Sequence, residues 1–144
     1  MQLNRKSLAS LVTACTLLTL SLVAYVQAED KKVDPTGTWT WTTPGTNGGA
    51  DRKNTLTLKL QGNSLTGILS YPSRQNGEVR DTPIEEGQVK GDEITFNVSR
   101  EFGGTKVVSK YKGTISGDSI KGKIDSVRNG ENQSRDWDAK REPK

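Results

Sequence analysis

Apolar residues along most of this chain recur at every second position, in short runs separated by glycine beside asparagine or aspartate. The plainest run is Thr55-Leu56-Thr57-Leu58-Lys59-Leu60, whose leucines share one face of an extended ribbon and predict a strand resting that face on a core. Gly62-Asn63 predicts a turn. The return run from Leu65 to Tyr71 carries Leu65, Leu69 and Tyr71 on one face, with Gly67 among them as a sign of strong coiling or of a close neighbour. The same hairpin pattern surrounds Gly91-Asp92 and Gly117-Asp118, each flanked by branched apolar residues, and Gly103-Gly104 supplies a further turn.

About eight strands follow from this pattern: Thr38 to Thr42, Thr55 to Leu60, Leu65 to Tyr71, Ile84 to Lys90, Glu93 to Glu101, Lys106 to Ser116, Ser119 to Val127 and Gln133 to Lys140. No stretch sustains a helical period, and the connections are too short for crossovers, so the strands must run as an up-and-down meander. An open meander leaves two unpaired edges, and closing it removes both. Eight strands suit a closed barrel that fills its interior with side chains or holds one small ligand. The predicted fold is therefore an all-β, roughly eight-stranded antiparallel barrel, with a β-sandwich as the alternative.

The N-terminal segment departs from the alternation. Arg5 and Lys6 precede an uncharged apolar run from Leu8 to Val26, and Val26-Gln27-Ala28 fits the small-x-small pattern of signal-peptide cleavage. Residues 1–28 are therefore predicted to be a signal peptide cut after Ala28. Val12-Thr13-Ala14-Cys15 resembles a lipoprotein processing site, but the chain stays apolar after Cys15, which argues against lipidation there. Residues 29–35 form a charged lead-in ended by Pro35 and expected to be flexible, and 36–142 form a single domain. Cleavage leaves about 116 residues, enough for one modest core. The protein is expected to be secreted or periplasmic.

Charge and composition then narrow the chemistry. The leader holds two of the 21 basic residues and none of the 17 acidic ones, so the remainder is close to balanced and offers no basic block for nucleic acid. No histidine occurs, and the single cysteine lies in the leader. Histidine-based catalysis, thiolate nucleophiles, zinc sites of His or Cys, and disulfides are thereby excluded from the predicted domain. Carboxylate pairs remain as the route to a glycosidase. Glu85-Glu86 are neighbours and by strand alternation point to opposite faces, while Asp136 and Asp138 share the face opposite Trp137 and are expected to meet water. Asp34, Asp92 and Asp118 lack the ligand spacing of a calcium loop. The expectation is a non-enzymatic protein with no cofactor and no metal.

Gly37-Thr38-Trp39 heads the first strand and Arg141 follows the last, a pairing that resembles the opening and closing signature of the lipocalin and calycin barrels. The resemblance implies that Trp39 closes one barrel end and that a cation packs across its ring, with Arg141 or Arg135 in that role. The chain is shorter than typical lipocalins and lacks their disulfide and C-terminal helix. Through Gly37-Thr38-Trp39-Thr40-Trp41, Leu65-Thr66-Gly67 and Ser134-Arg135-Asp136-Trp137 it is also similar to a group of small exported bacterial barrel proteins of unassigned function, a likeness that implies no activity.

Trp39 and Trp41 share a strand face, and Trp137 lies on the strand that a closed barrel sets beside them. Two readings stand open. The tryptophans build the core, or they line a pocket for a small apolar or flat ligand, with Tyr71, Phe96 and Tyr111 completing its wall. An exported interaction protein, such as a peptidase inhibitor acting through the lead-in or an envelope or glycan-binding module, is the alternative function. The expected partner is a small molecule or a protein, with no nucleic acid and, once the leader is removed, no membrane.

Overall fold

The computed structural model describes residues 33–144, which contain strands, turns and loops and no helix. The predicted leader, its cleavage after Ala28, and Cys15 lie outside the described residues. In chain order the strands are β1 (Gly37–Thr43), β2 (Arg52–Gln61), β3 (Ser64–Pro72), β4 (Val79–Pro83), β5 (Glu85–Lys90), β6 (Glu93–Phe102), β7 (Thr105–Ser116), β8 (Ser119–Arg128) and β9 (Glu131–Arg141). Their hydrogen-bonded order, β2-β1-β9-β8-β7-β6-β5-β3-β4, returns on itself because β2 also pairs with β3. The chain is thus a closed eight-stranded antiparallel barrel with β4 as an added strand. A sandwich is ruled out, since β1 pairs with both β2 and β9 and leaves no break between two sheets.

Alternation decides what enters the barrel. Leu56 and Leu58 of β2 and Leu65 and Leu69 of β3 are buried, and Leu60 packs partly covered against them. Their neighbours Thr57, Lys59 and Thr66 are exposed. Ile94, Phe96 and Val98 of β6 meet Tyr111 and Ile115 of β7, Ile120 and Ile124 of β8, and Trp137 and Ala139 of β9 in the same core. Two inward glycines give that core its shape. Gly67 lies against β2, where a Cβ would stand 2.3 Å from the Thr57 carbonyl oxygen. On β7, a Cβ at Gly113 would stand 2.7 Å from Ile120 and 2.9 Å from the Trp137 ring, so bare backbone makes room for the indole.

The two ends differ already in their turns. At one, Gly62-Asn63, Gly91-Asp92 and Gly117-Asp118 close two-residue hairpins, their glycines at φ of 64°, 59° and 59°. At the other, Gly103-Gly104 and Asn129-Gly130 make tight turns, but β1–β2 and β3–β4 are joined by the longer loops 44–51 and 73–78. Toward this second end the wall also parts. β1 and β9 pair only at Trp39↔Arg141 and Thr40↔Lys140, and β4 pairs with β3.

The predicted strand from Ile84 to Lys90 is the main departure from the sequence reading. The wall begins earlier, at Val79, and is broken by a bulge between Glu85 and Gln88, with Glu86 at φ 52°. Pairing of Tyr71 with Arg80 and of Leu69 with Thr82 puts Arg80 and Thr82 on the inward face of β4. Those polar inward residues explain why no apolar alternation announced the strand.

Candidate functional site

The end bearing the short hairpins is sealed. Trp39 is fully buried, its Nε1–H donates to the Pro35 carbonyl at 2.9 Å, and the Arg141 guanidinium lies 4.2 Å over its ring. Arg141 also donates through Nη1 to the Thr36 carbonyl, through Nη2 to the Asp34 carbonyl at 3.0 Å, and through Nε to Asp118 at 3.2 Å. A planar fork with acceptors on three sides is a task for arginine rather than lysine. Gly37 allows the approach: it holds φ 140°, and a Cβ there would stand 3.0 Å from an Arg141 nitrogen. From the lead-in, Val33 packs on the core and Pro35 is fully buried. The Asp34 carboxyl ionises below its ordinary range, chiefly because the Thr36 hydroxyl and amide hydrogen-bond to it and also because Arg141 stands near. Of the two cations offered by the sequence, Arg141 is the one on Trp39. Arg135 belongs to the opposite end.

Midway along the barrel, aromatic rings form a floor. Phe96 and Tyr111 stack at 4.7 Å with 12° between planes, and Trp137 stands edge-on to both at 5.7 and 5.3 Å. Trp41 meets Trp137 at 5.7 Å and Tyr111 at 6.4 Å, again edge-on. Of the three tryptophans that the strand positions set near one another, Trp41 and Trp137 meet, while Trp39 lies apart at the sealed end.

Above this floor the barrel opens into a cavity of about 340 Å³. Trp41, Tyr71 and Tyr111 face into it, whereas Trp39, Phe96 and Trp137 lie below in packed core. Asn54, Ser109 and Ser126 add polar groups to its base. Asn54 is buried and held by donation to Thr43 Oγ1 at 2.9 Å and to the Arg52 carbonyl at 3.2 Å.

The wall and rim of the cavity are arginine: Arg52, Arg74, Arg80, Arg100, Arg128 and Arg135, with Glu101 as the single carboxylate residue. The Arg100 guanidinium stacks 4.1 Å over the Tyr71 ring, and Arg128 approaches Phe102 at 5.7 Å. The Arg52 ionisation is pushed down by burial first and then by the like charges of Arg74, Arg135 and Arg100. Arginine remains cationic at neutral pH despite such a shift. Sequence reasoning missed this cluster. A signal was present, since Arg52, Arg100, Arg128 and Arg135 stand two or four residues from core positions Leu56, Phe96, Ile124 and Trp137, and so share their inward parity.

The carboxylate pairs lie elsewhere. Asp136 and Asp138 are exposed and paired with Lys123 at 3.0 Å and Lys140 at 3.7 Å. Glu85 and Glu86 do not point to opposite faces as strict alternation expects. The bulge brings both to the outside of β6, where Glu85 accepts from Ser99 at 2.9 Å and Glu86 from Asn97. Among the described residues no group of Asp, Glu, His or Cys is arranged to hold a metal ion.

Fold and site together define a closed antiparallel barrel with one sealed end and one cationic, aromatic-floored mouth. No protein-family model matches this chain, and neither the curated proteins nor the solved structures contain a significant match to it.

Proposed function

We propose that the chain is an exported, non-enzymatic binding barrel of lipocalin-like design that holds one small flat ligand in its open mouth. The observation that carries this reading is the cavity of about 340 Å³, a concave site that Trp41, Tyr71 and Tyr111 give an aromatic surface within a largely polar, arginine-rich wall. The lipocalin-like element of the proposal draws on Gly37, Trp39 and Arg141, whose stacked geometry is what that resemblance implies. Export draws on the sequence of residues 1–28. A peptidase inhibitor, the competing reading, expects a packed interior and a free segment before the barrel. The cavity, and the covered Val33 and Pro35, favour the binding barrel.

Trp41 is the tryptophan that faces the cavity, so it is the natural reporter. Titration with 2-naphthol, a flat and nearly neutral probe, is expected to quench tryptophan emission in the wild type, and Trp41→Phe is expected to lose most of that response. Equal quenching in both proteins, or none in the wild type, counts against a ligand seated on this floor.

A further inference from the structure

Six of the seven arginines among the described residues line the mouth, and none of the ten lysines does. The seventh arginine, Arg141, seals the other end. Lysines instead decorate the outer wall, where Lys53, Lys112, Lys123 and Lys140 pair with carboxylates. Solubility or self-repulsion would be served by either cation. Sorting by type means that the planar fork itself is used, and that fork suits two-point recognition of carboxylate, sulfate or phosphate oxygens.

The mouth arginines also lack internal counter-charges, although Arg100 and Arg128 each meet an aromatic ring. Among the described residues none of the six forms an ion pair, and the Nε of Arg100 is buried with no hydrogen-bond acceptor. Arg52 and Arg100 are half-buried and the other four are exposed at the rim, so the cost of gathering these like charges falls mainly on the two inner guanidinium groups. An anion in the cavity would supply the missing acceptors. Arg100 lines the cavity with its guanidinium already fixed by stacking on Tyr71 at 4.1 Å.

We infer that the ligand of this mouth is a small organic polyanion, with a flat or apolar body on the Trp41, Tyr71 and Tyr111 floor and two or more acidic groups held by the arginine ring. This inference deepens the binding-barrel reading and rests on it for the flat body. The arginine ring gives it a separate basis for the charge. A single negative charge leaves most of the six guanidinium groups without a counter-charge, and a cavity of about 340 Å³ is too small for a folded partner to enter.

Calorimetric titration of the mature protein with 2-naphthol, naphthalene-1,5-disulfonate and inorganic pyrophosphate separates the two ideas. The disulfonate is expected to bind at least about tenfold more tightly than the naphthol, as charge-assisted hydrogen bonds allow, and to weaken as salt is added. The rim pair Arg74→Gln/Arg128→Gln is expected to lose most of that advantage. The outer-wall pair Lys110→Gln/Lys123→Gln, with the same change in net charge, is expected to keep it. Equal affinity for naphthol and disulfonate would overturn the polyanion while leaving the flat-ligand reading in place. Equal loss in the rim and outer-wall pairs would overturn it too, because the attraction would then be diffuse. If pyrophosphate binds through the rim arginines and neither naphthalene binds, the charge inference stands and the flat floor falls. If neither anion binds, the inference is wrong.

Discussion

At one end of the barrel a single arginine is ringed by acceptors, and at the other six arginines line one cavity without an ion pair among them. Arg141 has the Trp39 face, two carbonyls and Asp118, so its charge is compensated where it sits and it acts as a bolt. Arg52 has like charges around it, and Arg100 has a tyrosine face. The same residue type is therefore compensated at one end and left without a counter-charge at the other, and what differs is the supply of acceptors. Polar groups left unsatisfied by the fold are where a fold has something to offer a ligand.

Substitutions sharpen the contrast. Trp137→Ala removes the ring that joins Trp41, Phe96 and Tyr111, and is expected to cost about 3–5 kcal/mol in urea unfolding. A loss near that of a surface mutation would mean the barrel's middle is not the packed floor described. Gly113→Ala forces a methyl against Ile120 and the same indole and is expected to cost about 1–3 kcal/mol, with near-ultraviolet circular dichroism reporting the displaced tryptophan. Arg141→Ala opens the sealed end and is expected to cost about 1–2 kcal/mol.

At the mouth the sign is expected to reverse. Arg52→Gln relieves repulsion from Arg74, Arg135 and Arg100, so thermal melting at low salt should hold steady or rise by about 0.5 kcal/mol or less. A clear loss of stability would place an unseen partner on Arg52 and weaken the comparison between the ends. The smallest effect belongs to pH. Asp34 has its folded pKa below its ordinary 3.8, so it adds stability above that value, and the contribution fades as pH falls through the folded pKa. Because the carboxyl is largely exposed, solvent screens the effect. The wild type should be slightly more stable than Asp34→Asn near neutral pH, with the two converging in acid.

Most strands were legible because a half-buried strand advertises itself by alternation, as Leu56, Leu58 and Leu60 do. β4 was not, because its inward residues are Arg80 and Thr82, and a strand whose inner face borders water carries no apolar rhythm. Glu86 escaped for another reason: a bulge resets alternation, and its one trace in the sequence was Gly87, a glycine inside a strand. The candidate site was half legible. Trp41, Tyr71 and Tyr111 could be named from strand faces, but near-balanced net charge hid the arginines, since a sum over the chain discards where each charge sits.

By itself, the order of apolar and polar residues determined which side chains point inward, where the ribbons turn, and that the sheet must close to cover its edges. These follow from the two-residue period of a strand and from short connections, both local properties. Which half of the barrel fills and which stays hollow was decided only in three dimensions. At each level of the barrel the interior is shared by side chains from strands far apart in sequence, and it fills only if their volumes sum to the space enclosed. Near β1's start Trp39 with leucines and isoleucines meets that sum. At the other end Asn54, Ser109 and Ser126 are too small, and the arginines beside them cannot bring their charges together into a dry core.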